Sequence, residues 1–193
     1  FSNSILKVIA DFGQTIPASL NLEATLCAIF QNVGRLVSAD AMEIKLEDPR
    51  SQSSVIYRYE ESGGAPRAVR TGRTQFGGYS ESLKAQRQTV FAPEGRSDLV
   101  GAAALVKSYI GIPLFVNDEL LGTLELGRTT ASGLSRQDAD LLQLIGSQAA
   151  VAIRNARQFE VQQERMAELG GLAKLSQAAG SIQEPRELFA RLV

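Results

Sequence analysis

The sequence contains no histidine and a single cysteine, Cys27. Without an imidazole there is no Ser-His-Asp or Cys-His nucleophile, no His-bearing zinc site and no His-ligated haem. One thiol forms no intrachain disulfide, in keeping with a reducing compartment. Nowhere do 18 apolar residues follow one another, and the N-terminus has neither a basic stretch nor a cleavage pattern. Neither a membrane span nor secretion is therefore indicated. An excess of one charge is missing too: 20 Lys and Arg offset 21 Asp and Glu. No long-range field draws the chain to nucleic acid or to an anionic membrane. The expected setting is cytoplasmic, without nucleic acid and without direct membrane contact. The chain opens on Phe1 rather than Met, as a fragment of a longer polypeptide would.

What is present suffices for one core. The 193 residues are 44% hydrophobic, enough for one domain plus an appendage. Apolar groups at Ile5, Val8, Ile9 and Phe12 mark one face of a helix over residues 4–14, which Pro17 ends. A second helix is expected from Asn21, its N-cap, with Leu22, Leu26, Ile29, Phe30, Val33, Leu36 and Val37 in a stripe. The period then changes to two: Met42, Ile44 and Leu46 alternate with Glu43, Lys45 and Glu47, a half-buried strand. Val55, Tyr57 and Tyr59 repeat the pattern in a second strand. Residues 62–80 are glycine-rich and predict irregular backbone around one short edge strand near 68–70. A short helix over 80–88 and a short strand stopped by Pro93 follow.

"SYIGIPLFVNDELLGTLELG", residues 108–127, reads as a hairpin turning at Asn117 and Asp118. Both faces of its first strand are apolar, as for a strand covered on both sides. Pro113 cannot donate to a ladder and requires a bulge or an unpaired position, and Gly111 and Gly122 leave room for a close neighbour, a packed helix or a ligand. Ser135 with Asp138 forms a capping-box-like helix start. From there the pattern runs without a breaker to Gly170-Gly171, about 35 residues or roughly 50 Å. Leu142, Ile145, Ala149, Ala152, Ala156 and Phe159 form a heptad seam with Met166 in phase, and Leu141, Leu144, Gln148 and Val151 lie on an adjacent face. The wide apolar surface over 141–153 suits coverage of the chain's own domain. The distal residues point to a second copy, so the seam is expected to hold a homodimer. After Gly171, "LSQAAGSIQEPRELFARL" echoes "FGQTIPASLNLEATLCAIF" near the start, as a repeated domain would.

In this order the elements resemble a GAF domain. The resemblance rests on "GGYSESLKAQRQTVFAPE", on the hairpin and on "GLSRQDADLLQLIGSQAAVAIRNA". It implies an α+β fold: an antiparallel sheet of five or six strands, a helical layer on one face, a loop and short-helix pocket on the other, and a long linker helix. The implied divisions are a GAF domain over 1–160, a linker helix over 161–171, and the truncated start of a second, tandem GAF-like domain over 172–193. The resemblance further implies a non-catalytic sensor of signal transduction, binding a small molecule and relaying its state to output domains. The alternative is a ligand-free dimerisation scaffold. Expected ligand contacts are Tyr57, Tyr79, Ser82, Phe91, Tyr109 and Thr123. No bilin is expected, because Cys27 lies in the second helix and there is no histidine, nor is haem or zinc. One thiol is too few for the exchange chemistry of the family's methionine sulfoxide reductases. The close acid pairs Asp118-Glu119 and Asp138/Asp140 read as a turn and a helix start rather than as catalysts.

Overall fold

The computed structural model describes residues 21–48, 51, 53–62, 65–74, 83, 85–94 and 106–181. The helix expected over 4–14 lies outside them, as do Tyr79 and Ser82. Helix α1 (Leu22–Leu36) begins where expected: the Asn21 side chain accepts from the Ala24 N–H at 3.0 Å. Its stripe of Leu26, Ile29, Phe30 and Val33 is fully buried, the outcome that a 3.6-residue apolar period dictates once a sheet is available to cover it.

Six strands follow: β1 (Ala41–Glu47), β2 (Ser54–Ser62), β3 (Ala65–Thr74), β4 (Val90–Ala92), β5 (Ser108–Val116) and β6 (Glu119–Arg128). They form one sheet in the order β3-β2-β1-β6-β5-β4, and every pairing is antiparallel. Strand β3 is longer than the short edge strand expected around 68–70, since pairing along the whole of β2 overrides its poor apolar content. The hairpin turns at Asn117, whose φ of 56° is the left-handed geometry that tight hairpins demand. Pro113 sits opposite Thr123, with a register shift directly after Leu114, and β4 accompanies β5 only as far as Gly111. Both conditions that a strand proline requires are thus met at its position.

Helix α2 (Arg136–Ser181) closes the domain and then leaves it. Its start is the reciprocal box read from the sequence: the Ser135 N–H donates to Asp138 Oδ2 at 2.7 Å, and the Asp138 N–H to Ser135 Oγ at 3.2 Å. Leu142, Ile145, Ala149, Ala150, Ile153 and Ala156 join α1 and the sheet residues Ile44, Ile110, Ile112, Leu114, Leu124 and Leu126 in one core. Gly146 brings the helix down on β5, where an added Cβ would stand 3.3 Å from Ile112 Cγ2. Gly170-Gly171 does not end the helix, which runs on to Ser181. The expected boundary at 171/172 therefore falls inside a continuous helix, whose cooperativity spans two residues that each cost about 1 kcal/mol. The far end of 172–193 lies outside the described residues.

Candidate functional site

Strand parity decides what reaches the sheet face opposite the helices. Ile44 is paired with Tyr57 and Leu124, so these share the helical face, while Lys45 is paired with Thr123 and Glu43 with Glu125. The latter four, with Ala41, Tyr109 and Gly111, define the distal face. The expected set of ligand contacts is thereby split. Tyr109 and Thr123 lie on the distal face; Tyr57 and Phe91 belong to the helical-side core, Phe91 only partly buried against it. Tyr57 is buried beside Arg157 and Glu160, and burial raises its phenol above its ordinary pKa, opposed by Arg70 and Arg157. A pocket on the distal face cannot use it.

The distal face is built around a buried ionic cluster that the sequence pattern placed in solvent. Glu43, Lys45 and Glu125 are each less than 10% exposed, and Thr123 is fully buried. Glu43 stands directly opposite Glu125, an arrangement that repels. Lys45 offsets it: its Nζ donates to Glu125 Oε2 at 2.7 Å and lies 4.0 Å from Glu43 Oε2. The Thr123 hydroxyl donates to Glu125 Oε1 at 2.7 Å, and Arg58 Nε donates to Glu43 Oε1 at 3.0 Å. Two carboxylates and two cations thus form a closed set, the condition under which buried charge is tolerated. Charged residues at alternate positions of a strand flanked on both sides were the available signal. The reading that a half-buried strand turns its charges to water concealed it.

The spaces beside the two glycines are filled. A Cβ on Gly111 would meet the Tyr109 phenol and stand 2.7 Å from Leu83 Cδ1, so the Leu83 side chain and the Tyr109 ring occupy that room. A Cβ on Gly122 would collide with the Lys45 carbonyl and stand 2.9 Å from Leu46 Cα. Strand β1 comes in too close for any side chain. Between Glu43, Val106, Tyr109, Glu125 and Gly127 remains a cavity of about 20 Å³, room for a single water. A larger cleft of about 470 Å³ lies on the helical side, lined by Phe30, Gly34, Arg35, Met42 and Tyr59. Above Phe115, on the distal side, the Arg87 guanidinium lies 4.3 Å from the ring centroid and donates to Asp118 Oδ1 at 3.2 Å. It fastens the hairpin tip to the segment just ahead of β4.

On the helical side α2 is tied to the domain just before it departs. Arg157 donates to the Glu47 carbonyl at the end of β1, at 2.8 Å, and Glu160 Oε1 accepts from the Leu22 N–H at 3.0 Å. A carboxylate at a helix N-terminus satisfies an orphan donor and meets the positive end of the dipole. Burial lowers the Arg157 pKa, opposed by Tyr57, Asp48, Glu119 and Glu160. The residues expected to form a dimer seam divide here. Leu142, Ile145, Ala149 and Ala156 are buried in the chain's own core, and Ala152 is packed against it. Phe159 is half-buried, and of the seven only Met166 is exposed. The domain itself occupies that face at Leu142, Ile145, Ala149, Ala152 and Ala156, which corrects the assignment of those five residues to a second copy.

A six-stranded antiparallel sheet covered on one face by α1 and α2, with a buried ionic cluster on the other, is an open-sheet α+β architecture. The sequence model of the GAF domain matches residues 18–153, and the chain belongs to that family. Solved structures agree on the fold. The GAF domain of an Acinetobacter phosphoenolpyruvate-protein phosphotransferase superposes with a TM-score of 0.70 at 18% identity, covering 82% of this chain and 97% of that one. Free methionine-R-sulfoxide reductase from Neisseria meningitidis, in complex with its substrate, gives 0.64 at 19% identity, covering 80% and 90%. Among curated proteins, a probable manganese-dependent inorganic pyrophosphatase from Streptococcus mutans is 28% identical over 177 residues. The match takes in 90% of this chain but only 56% of the length of that protein. No helix among the described residues is long and apolar enough to cross a membrane.

Proposed function

We propose that this chain is a non-catalytic sensory and regulatory GAF domain of a cytoplasmic signal-transduction protein, taking a small molecule on the distal face and relaying its state through α2 within a homodimer. One observation carries the reading: β1 belongs to both sides of the sheet. It presents Glu43 and Lys45 to the distal face and ends at Glu47, whose carbonyl holds Arg157 of the departing helix. A ligand that rearranges the Lys45 cluster shifts β1, and β1 moves the anchor of α2. Coupling of only ~1–3 kcal/mol is enough for regulation. The tandem arrangement, with a second domain begun after Gly171, remains part of the proposal and rests on the sequence echo.

The test is retention of a co-purifying molecule together with thermal shifts against a metabolite panel. The panel includes free methionine-R-sulfoxide, the compound named in the Neisseria enzyme, as a ligand and not as a substrate, since one cysteine cannot sustain thiol exchange. A ligand that raises the melting temperature in wild type and not in Lys45→Met supports the reading. Silence across the panel favours the second reading, a ligand-free dimerisation scaffold. That alternative has its own support in the filled spaces at Gly111 and Gly122 and in a cavity sized for one water. The hydrolysis named for the streptococcal relative needs a metal. Among the described residues no three His, Cys, Asp or Glu side chains come together to hold one.

A further inference from the structure

The cleft on the helical side takes no part in the distal cluster. Its volume of about 470 Å³ lies inside the ~300–1,000 Å³ range of small-molecule sites. It is found where α1 ends and the chain turns into β1, at the opposite end of β1 from Glu47. Its apolar lining is Phe30, Val37 and Met42, all buried, with the half-buried ring of Tyr59. The Phe30 and Tyr59 ring centroids stand 5.8 Å apart with the rings tilted by 56°, a stable aromatic pair. The polar lining is Gln31, Arg35 and Ser38. Among the described residues Arg35 is the one charged group in the lining, and no ion pair among them involves it. The end of the helix carries about half a unit of negative charge. The full charge of Arg35 exceeds it, so the rim of the cleft is positive.

Gly34 points the same way. It lies in the last turn of α1, where glycine weakens a helix relative to alanine. Neither backbone nor packing requires it: its conformation is helical, and an added Cβ would stand 3.6 Å from Met42 Cε, an ordinary van der Waals contact. At Gly111 and Gly122 a side chain would collide; at Gly34 it would only take up room in the cleft. We propose that this cleft is a second small-molecule site, separate from the distal face, and that it takes an aromatic carboxylic acid. The ring lies against Phe30, Met42 and Tyr59, and the carboxylate accepts from the Arg35 guanidinium, with the Gln31 amide and the Ser38 hydroxyl as further donors. A guanidinium fits a carboxylate through two parallel bonds, while the apolar lining removes the ring from water. An organic cation is repelled by Arg35, and a doubly charged phosphate monoester finds only one guanidinium. The site shares no residue with the Lys45 cluster, so it stands or falls independently of the distal-face reading.

The experiment titrates the full chain with 2-naphthoate and follows the backbone amides by proton–nitrogen correlation spectra. The expected result is saturable shifts at Gln31, Gly34, Arg35, Ser38 and Ala39. Arg35→Gln should weaken binding about tenfold, the loss of one charge-assisted hydrogen bond, and the neutral 2-naphthamide should bind wild type more weakly by a similar factor. Equal binding of the amide and the carboxylate would overturn the assignment of the ligand class. Gly34→Leu places an aliphatic side chain in the cleft and should abolish binding while the melting temperature stays at or above that of wild type, since the position is exposed and helical. Binding to Gly34→Leu within about twofold of wild type would overturn the cleft as the site. Shifts confined to residues 106–111 and 123–127 would place the probe on the distal face and overturn the proposal while supporting that other site. Absence of any shift at millimolar 2-naphthoate would overturn the proposal and leave the distal-face reading untouched.

Discussion

Gly122 positions the distal cluster by having no side chain. It lies opposite Leu46 on β1 and Leu114 on β5, and the β1 backbone fills the volume a Cβ would need. Gly122→Ala should destabilise the fold by about 3 kcal/mol, read as a lowered urea midpoint. Lys45→Met leaves two buried carboxylates with less compensation and should cost roughly 3–5 kcal/mol in the same measurement. A loss below 1 kcal/mol would mean that the cluster is not closed in solution. Asp40 offers a pH test. Its carboxylate accepts from the Thr129 N–H and hydroxyl at 2.7 and 2.8 Å. Those bonds, the N–H first, with the Arg128 charge adding, hold its pKa below the ordinary carboxylate value. A depressed folded pKa contributes stability that is present above the unfolded value of about 4 and is lost as pH falls through the folded one. The melting-temperature gap between wild type and Asp40→Asn should accordingly be present at pH 6 and shrink progressively as the pH falls below the unfolded carboxylate value of about 4. At this scale the sequence was legible where a residue's role is local: Asn21 and the Ser135 and Asp138 pair cap as their spacing demanded. Tyr57 and Phe91 were misplaced because the face a strand residue occupies depends on register, and register is set by partners far along the chain.

Helix α2 is the element in which periodicity and partner came apart. Its heptad spacing was readable, but two stripes satisfied it, and spacing alone does not say which one the chain's own sheet will claim. The small residues decide: Gly146, Ala149, Ala150 and Ala156 let the backbone approach β5 and α1, and the larger Leu144 and Val151 are left outside. Ala156→Glu, which would weaken a dimer if that position faced a second copy, should instead unfold the domain. Burying an unpaired carboxylate in that contact costs several kcal/mol, visible as loss of the cooperative melt. Gly170 and Gly171 have nothing within 4 Å of an added Cβ. Changing both to Ala should therefore stiffen the distal arm, by close to 1 kcal/mol each in helix propensity. Slowed amide exchange over 165–178 with an unchanged domain melt is the expected readout. The beginning of the helix was legible, and its end was not: a glycine pair stops a marginal helix, but this one is already nucleated on a folded domain.

At the scale of the whole molecule, the succession of strands and the long terminal helix followed from strand periods, turn residues and caps, while the antiparallel sheet with its helical layer was implied by the resemblance to the GAF family, and the strand order came only with the structure. The charged distal face was not legible either, because burial of Glu43, Lys45 and Glu125 requires neighbours on both sides of β1 that no local window contains. One contact described above has a bearing on how such domains are strung together. Glu160 reaches the N–H of Leu22, so the chain leaves the domain within a hydrogen bond of where the described part enters it. Residues 22–160 thus close a loop whose two ends meet on the helical side. Tension between Leu22 and the helix beyond Glu160 would load this contact and the neighbouring tie of Arg157 to the Glu47 carbonyl before any strand.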